Sequence, residues 1–142
     1  MAQAKSLTQA DLEKVLTYIA EHSNAKRNRI MLLLTTAGGL RVSEVSGLLL
    51  LDAVNQDGTI KSEIYLSANR VKHGNARYIY LNTRLQEELR EYIDSKTWID
   101  ETQPLFTTLR GARKAFTANT LTQHFFWLYR KAGLQNSSHA GR

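Results

Sequence analysis

The 142 residues contain no cysteine, which excludes disulfides, thiolate zinc sites and cysteine nucleophiles. The longest apolar runs, such as Ile30–Leu34 and Gly47–Leu51, fall far short of the ~20 residues of a membrane span. The opening Met-Ala-Gln-Ala-Lys-Ser lacks the apolar core of a secretory signal. No segment repeats and none is of low complexity. The expectation is a soluble cytoplasmic protein with no membrane partner. Acid is also missing from one region. Residues 1–101 hold 13 Lys/Arg and 13 Asp/Glu, whereas residues 102–142 hold six Lys/Arg and no acid. The whole net charge of +6 therefore sits in the last part of the chain. A basic region on a neutral body suits a polyanion, most simply nucleic acid. A solvated basic surface without a partner is the alternative.

The residues that are present fit one domain. Apolar residues make up 42% and charged residues 23%, an ordinary globular balance for a chain too short for two domains. Thr8 with Asp11 three residues on, then Leu12, Val15, Leu16 and Ile19, predicts an amphipathic helix over about 9–21. A second helix is expected over 25–37, basic at its start (Lys26, Arg27, Arg29), apolar in its body and stopped by Gly38-Gly39. Helical spacing resumes from Leu40 to about Leu50, before a turn-rich stretch over 52–58. Residues 60–68 and 76–81 alternate apolar and polar, with His73-Gly74-Asn75 between them, so 60–81 reads as a β-hairpin. Further helices are expected over 83–97 and 119–132, with a short extended piece at 104–106. The aromatic cluster Phe125, Phe126, Trp127 and Tyr129 is expected to anchor the last helix in the core. The fold class is α+β: mainly helical, with a small antiparallel sheet made of the hairpin and a short third strand.

Three local patterns stand in order. The first is Thr36-Ala37-Gly38-Gly39-Leu40-Arg41-Val42-Ser43-Glu44-Val45. The second is Val71-Lys72-His73-Gly74-Asn75-Ala76-Arg77-Tyr78-Ile79-Tyr80-Leu81. The third is Ser138-His139-Ala140-Gly141-Arg142. Together they resemble the catalytic domain of the tyrosine recombinases, the phage integrase family. That family carries a Gly-Leu-Arg-x-Ser-Glu box, a hairpin lysine five residues before an Arg that opens the next strand, and a His-x-x-Arg box. The resemblance extends from about Leu7 to Arg142 and implies an incomplete integrase catalytic-domain fold.

The resemblance also implies a chemistry. The family cuts and rejoins double-stranded DNA without a metal or other cofactor. A tyrosine attacks the phosphodiester and forms a covalent phosphotyrosyl link. Two arginines clamp the phosphorane oxygens, and Arg41 and Arg142 match them. Lys72 matches the general acid that protonates the departing 5′ oxygen. His139 matches the assisting histidine, and Glu44 a carboxylate that helps hold the site. Arg77, Arg110, Arg113 and Lys114 are candidate DNA contacts; Arg77 could instead pair a cross-strand neighbour, and the loop cations could be merely solvated. Arg41, Lys72, His139 and Arg142 are expected to converge on a pocket for one DNA phosphate. His22, His73 and His124 lack metal-ligand spacing, and no metal is expected.

The family's pattern continues past the His-x-x-Arg box to a nucleophilic tyrosine. All six tyrosines here precede His139. Residues 1–142 are thus expected to be the N-terminal two thirds of a catalytic domain, without the N-terminal DNA-clamping domain or the tyrosine segment, and unable to cleave alone. Residues 136–142 are expected to fray, and exposed apolar surface to favour self-association or pairing with an intact recombinase subunit. The competing function is a non-catalytic DNA-binding module, or a defective prophage remnant, that occupies DNA through its basic face.

Overall fold

The computed structural model describes residues 7–70, 74–108 and 114–134. Helix α1 (Gln9–Ala20) starts on a reciprocal cap: Thr8 Oγ1 accepts from the Asp11 amide at 3.0 Å, and Asp11 accepts from the Thr8 amide. Helix α2 (Ala25–Thr36) is the central element. It packs against α1, against α3 (Val42–Ser46) and against α5 (Thr83–Asp94). Ile30–Leu34 are buried in succession, because a helix covered on several sides needs apolar residues around its whole circumference. Helix α6 (Ala118–Lys131) closes the body by packing on α3 and α1.

The single helix expected over 40–50 is two short ones. Gly47 caps α3, Leu49 turns extended, and α4 (Leu50–Ala53) starts afresh. The break is fixed by Asp52, whose carboxylate accepts from the Leu49 amide at 2.8 Å. Leu49 in turn bridges Pro104. The extended piece at 104–106 therefore pairs with Leu49, and the sheet has two strands among the described residues rather than the three expected.

Strands β1 (Glu63–Leu66) and β2 (Arg77–Tyr80) pair antiparallel, with Ile64 opposite Ile79 and Leu66 opposite Arg77. Ile64, Leu66 and Ile79 face the core, and Tyr65, Tyr78 and Tyr80 face outward. The connection is longer than a tight turn, since a 3-10 turn (Ala68–Arg70) succeeds β1. The hairpin meets the helical body through α4.

The aromatic cluster of α6 is split. Phe125 and Tyr129 are buried, but Trp127 is 55% exposed. Residues 121, 125, 128 and 129 share the inward face at helical spacing. Phe126 and Trp127 lie beside it, with the Arg130 guanidinium over both rings.

Candidate nucleic-acid site

The site forms where α2 ends. Gly38 lies so close to the preceding turn that a Cβ there would sit 2.7 Å from the Leu34 carbonyl oxygen, and Gly39 has φ of +80°. A side chain would clash at the first position and strain the second. The glycine pair thus turns the chain sharply and delivers Leu40 to the core and Arg41 to the start of α3.

Glu44 ties the start of α3 to the hairpin. Its side chain is 1% exposed. Oε1 accepts from the Arg41 backbone amide at 2.8 Å, which caps α3, and from Arg77 Nη2 at 2.8 Å. Arg77 Nη2 also donates to the Gly39 carbonyl at 3.2 Å. Strand β2 is thereby fastened to the turn that carries Arg41. Oε2 of Glu44 is buried without a hydrogen bond, and the Arg41 guanidinium lies 3.6 Å from it. That distance gives attraction but not a hydrogen bond. Among the described residues the Arg41 side chain makes no hydrogen bond, and it is 40% exposed. A guanidinium oriented by a buried carboxylate, with its donors unspent and open to solvent, can take an external oxyanion.

A second anchor was not legible in the sequence. The Arg70 guanidinium forks onto Asp52, with Nη1 to Oδ1 at 3.1 Å and Nη2 to Oδ2 at 2.8 Å. Asp52 and Glu44 play the same double part: each caps a short helix and grips an arginine of the hairpin. The two anchored arginines bracket residues 71–76 of the chain. A signal did exist in part, since Glu44 and Asp52 each stand three residues after the residue whose amide they cap.

The structure thus brings Arg41, Glu44 and Arg77 together. Arg77, read from the sequence as a DNA contact or a cross-strand partner, is held by Glu44. Lys114 is exposed, next to the Thr107–Ala115 bridge, and its carbonyl accepts from the Thr108 amide at 2.9 Å. Lys72, Arg110, Arg113, His139 and Arg142 lie outside the described residues, as does the segment 136–142. No group of three metal-ligating side chains occurs among the described residues, and no helix there is long and apolar enough to cross a membrane.

The family model described as "Phage integrase family" matches residues 5–142. The chain belongs to the phage integrase family. Its fold is that of solved recombinases. A XerA recombinase structure superposes with a TM-score of 0.70 at 19% identity, over 96% of this chain and 46% of that one. The Tn1549 transposon integrase, in complex with a circular intermediate DNA, gives 0.62 at 20% identity, over 99% of this chain and 51% of that one. The same integrase with transposon right end DNA gives 0.64 at 19% identity. The chain spans about half the length of these structures. A search of curated proteins finds no match.

Proposed function

We propose that this integrase-family chain holds the phosphate of a DNA strand at a site of metal-free breakage and rejoining, with Arg41 as the residue that grips a non-bridging oxygen. The observation that carries this is the state of Arg41: set beside a buried carboxylate and spending no side-chain hydrogen bond among the described residues. Glu44 and Arg77 are positioning residues, acting through Arg41 and the hairpin. Lys72 stands two residues after Arg70 and five before Arg77, between the two anchors. Its proposed role is to give a proton to the departing 5′ oxygen. His139 and Arg142 would complete the charge around the phosphorane. Arg110, Arg113 and Lys114 would add phosphate contacts along the duplex. The Tn1549 integrase is seen with transposon DNA, which supports double-stranded DNA as the partner. A cytoplasmic setting and a bacterial or phage gene fit the same reading.

No tyrosine comes after His139. These 142 residues are therefore expected to bind duplex DNA without forming a covalent adduct. Binding should weaken steeply as salt rises, because phosphate contacts release counterions. Arg41→Gln should weaken it further at every salt concentration. A nicked suicide substrate gives the decisive result: a covalent protein–DNA adduct from this chain alone would overturn the expectation of inertness, and salt-independent or absent binding would overturn the DNA reading itself.

A further inference from the structure

At the opposite end of α2 from Arg41 is a cavity of about 450 Å³, lined by Asn24, Lys26, Arg27, Tyr92, Lys96 and Thr107 among others. Arg27 is only 6% exposed. Its guanidinium donates from Nε and Nη2 to Asn28 Oδ1, at 3.1 and 2.9 Å, and from Nη1 to the Thr107 carbonyl at 2.9 Å. All of these acceptors are neutral. No carboxylate pairs with Arg27 among the described residues, and all 13 Asp and Glu of the chain fall within those residues. No acidic side chain elsewhere in the sequence is left to neutralise it.

A second and a third cation share the cavity. Lys96 Nζ stands 5.8 Å from the Tyr92 and Trp98 ring centres and reaches Thr107 Oγ1 at 3.4 Å. Burial, then the charge of Arg27, lowers the Lys96 pKa, and burial lowers that of Arg27. Lys26 lies on the rim. A buried charge normally has an opposite charge or a ligand beside it, and here three cations face one cavity with no acid. The amides at the start of α2 reinforce the sign, because Asn24 makes no side-chain cap.

We infer that this cavity binds a phosphate-class oxyanion, held by Arg27, Lys96 and Lys26, at a site separate from Arg41. The two lie at opposite ends of a 12-residue helix, about 18 Å along its axis. The inference does not depend on the strand chemistry proposed above. The phosphate could come from a free anion or from a DNA backbone; the chemistry that recognises it is the same.

The test is titration of the full chain with inorganic phosphate, monitored by amide NMR, with ionic strength held constant by chloride. Saturable shifts are expected at residues 24–28 and 95–97. Lys26→Gln with Lys96→Gln, both exposed lysines whose loss spares the core, should weaken phosphate at least tenfold. Arg41→Gln should leave it unchanged. If a duplex displaces the phosphate, the site takes backbone phosphate; if phosphate stays bound under saturating duplex, it takes the free anion; both uphold the site. Equal shifts with chloride alone, shifts confined to the Arg41 end, or unaltered affinity in the double lysine variant would each overturn it.

Discussion

At the C-terminal end of α2 a buried carboxylate, Glu44, has two arginines around it. At the N-terminal end a buried arginine, Arg27, has three neutral hydrogen bonds and no carboxylate. The first arrangement is closed around its acid: charge is balanced within the protein, and the surplus guanidinium, Arg41, is directed outward. The second is open around its base: each guanidinium nitrogen has a neutral acceptor, but no acid balances the charge. Hydrogen-bond satisfaction and charge compensation are separate requirements, and this one helix separates them at its two ends. Both ends present positive charge, one on the surface and one in a cavity.

The largest expected effect comes from removing the acid that closes the first arrangement. Glu44→Ala leaves Arg77 without its charged acceptor, the Arg41 amide uncapped and two guanidiniums repelling each other. The lost charged hydrogen bond to Arg77 is worth about 1.5–3 kcal/mol and the lost cap about 1, together about 3–4 kcal/mol. Denaturant unfolding should show a loss of that size, and Glu44→Gln, which keeps an acceptor for the cap, should lose less. A loss under about 1 kcal/mol for the alanine variant would mean that Glu44 does not hold the site together.

The second effect belongs to the Arg27 end and appears on acidification. His124 Nε2 lies 3.0 Å from Asn28 Oδ1, the same oxygen that Arg27 uses. Burial, and after it the charge of Arg27, pushes the His124 pKa down to about 4, against about 6.5 for an unfolded chain. Between those values the unfolded chain binds the proton and the folded chain does not, so stability rises with pH. This contribution is complete above about pH 6.5, falls by up to about 3 kcal/mol as pH drops to about 4, and declines no further below that. Unfolding midpoints at pH 7, 6, 5 and 4 check it. His124→Gln should flatten the slope in that window, and an equal slope in the variant would assign the loss to other groups.

These two regions also differ in how much of them was legible in the sequence. The Gly-Gly-Leu-Arg turn, the Ser-Glu after it, the capped first helix and the alternating hairpin are local patterns, and the structure has them where periodicity and capping rules place them. The hidden features are non-local. Arg27 looks like one member of a basic helix start, yet it is buried, with its Nη1 on the Thr107 carbonyl 80 residues later and its guanidinium over the Phe116 ring. Arg70 and Asp52 are 18 residues apart, and nothing in either stretch announces the pairing. The helix expected over 40–50 breaks because Asp52 offers a better cap at Leu49 than continuation would. Trp127 looks like core by composition, but one residue of helical rotation, about 100°, separates it from the buried face.

A third, smaller effect distinguishes the two arginines around Glu44. Arg77→Met removes the direct partner of Oε1 and leaves the Gly39 carbonyl without its donor. Losing one side of a partly buried, charged hydrogen bond costs about 1–3 kcal/mol. The hairpin should also loosen relative to α3, seen as faster amide exchange at Arg77–Tyr80 than in α2. Exchange unchanged from the parent chain would mean that the strand is docked by Asp52–Arg70 and apolar packing alone.

The smallest stability effect should accompany the largest functional one. Arg41 is 40% exposed, and its guanidinium stands 3.6 Å from Glu44 Oε2 with no hydrogen bond. An ion pair of that kind contributes about 0–1 kcal/mol. Arg41→Met keeps the backbone amide that Glu44 caps, so the unfolding midpoint should scarcely move. DNA affinity should nevertheless fall clearly, because the outward donors are gone. A variant that loses stability as much as Glu44→Ala would make Arg41 a structural partner of the carboxylate. One that keeps full DNA affinity would move phosphate recognition away from this end of α2, and the cavity at Arg27 would then be the place to look for it.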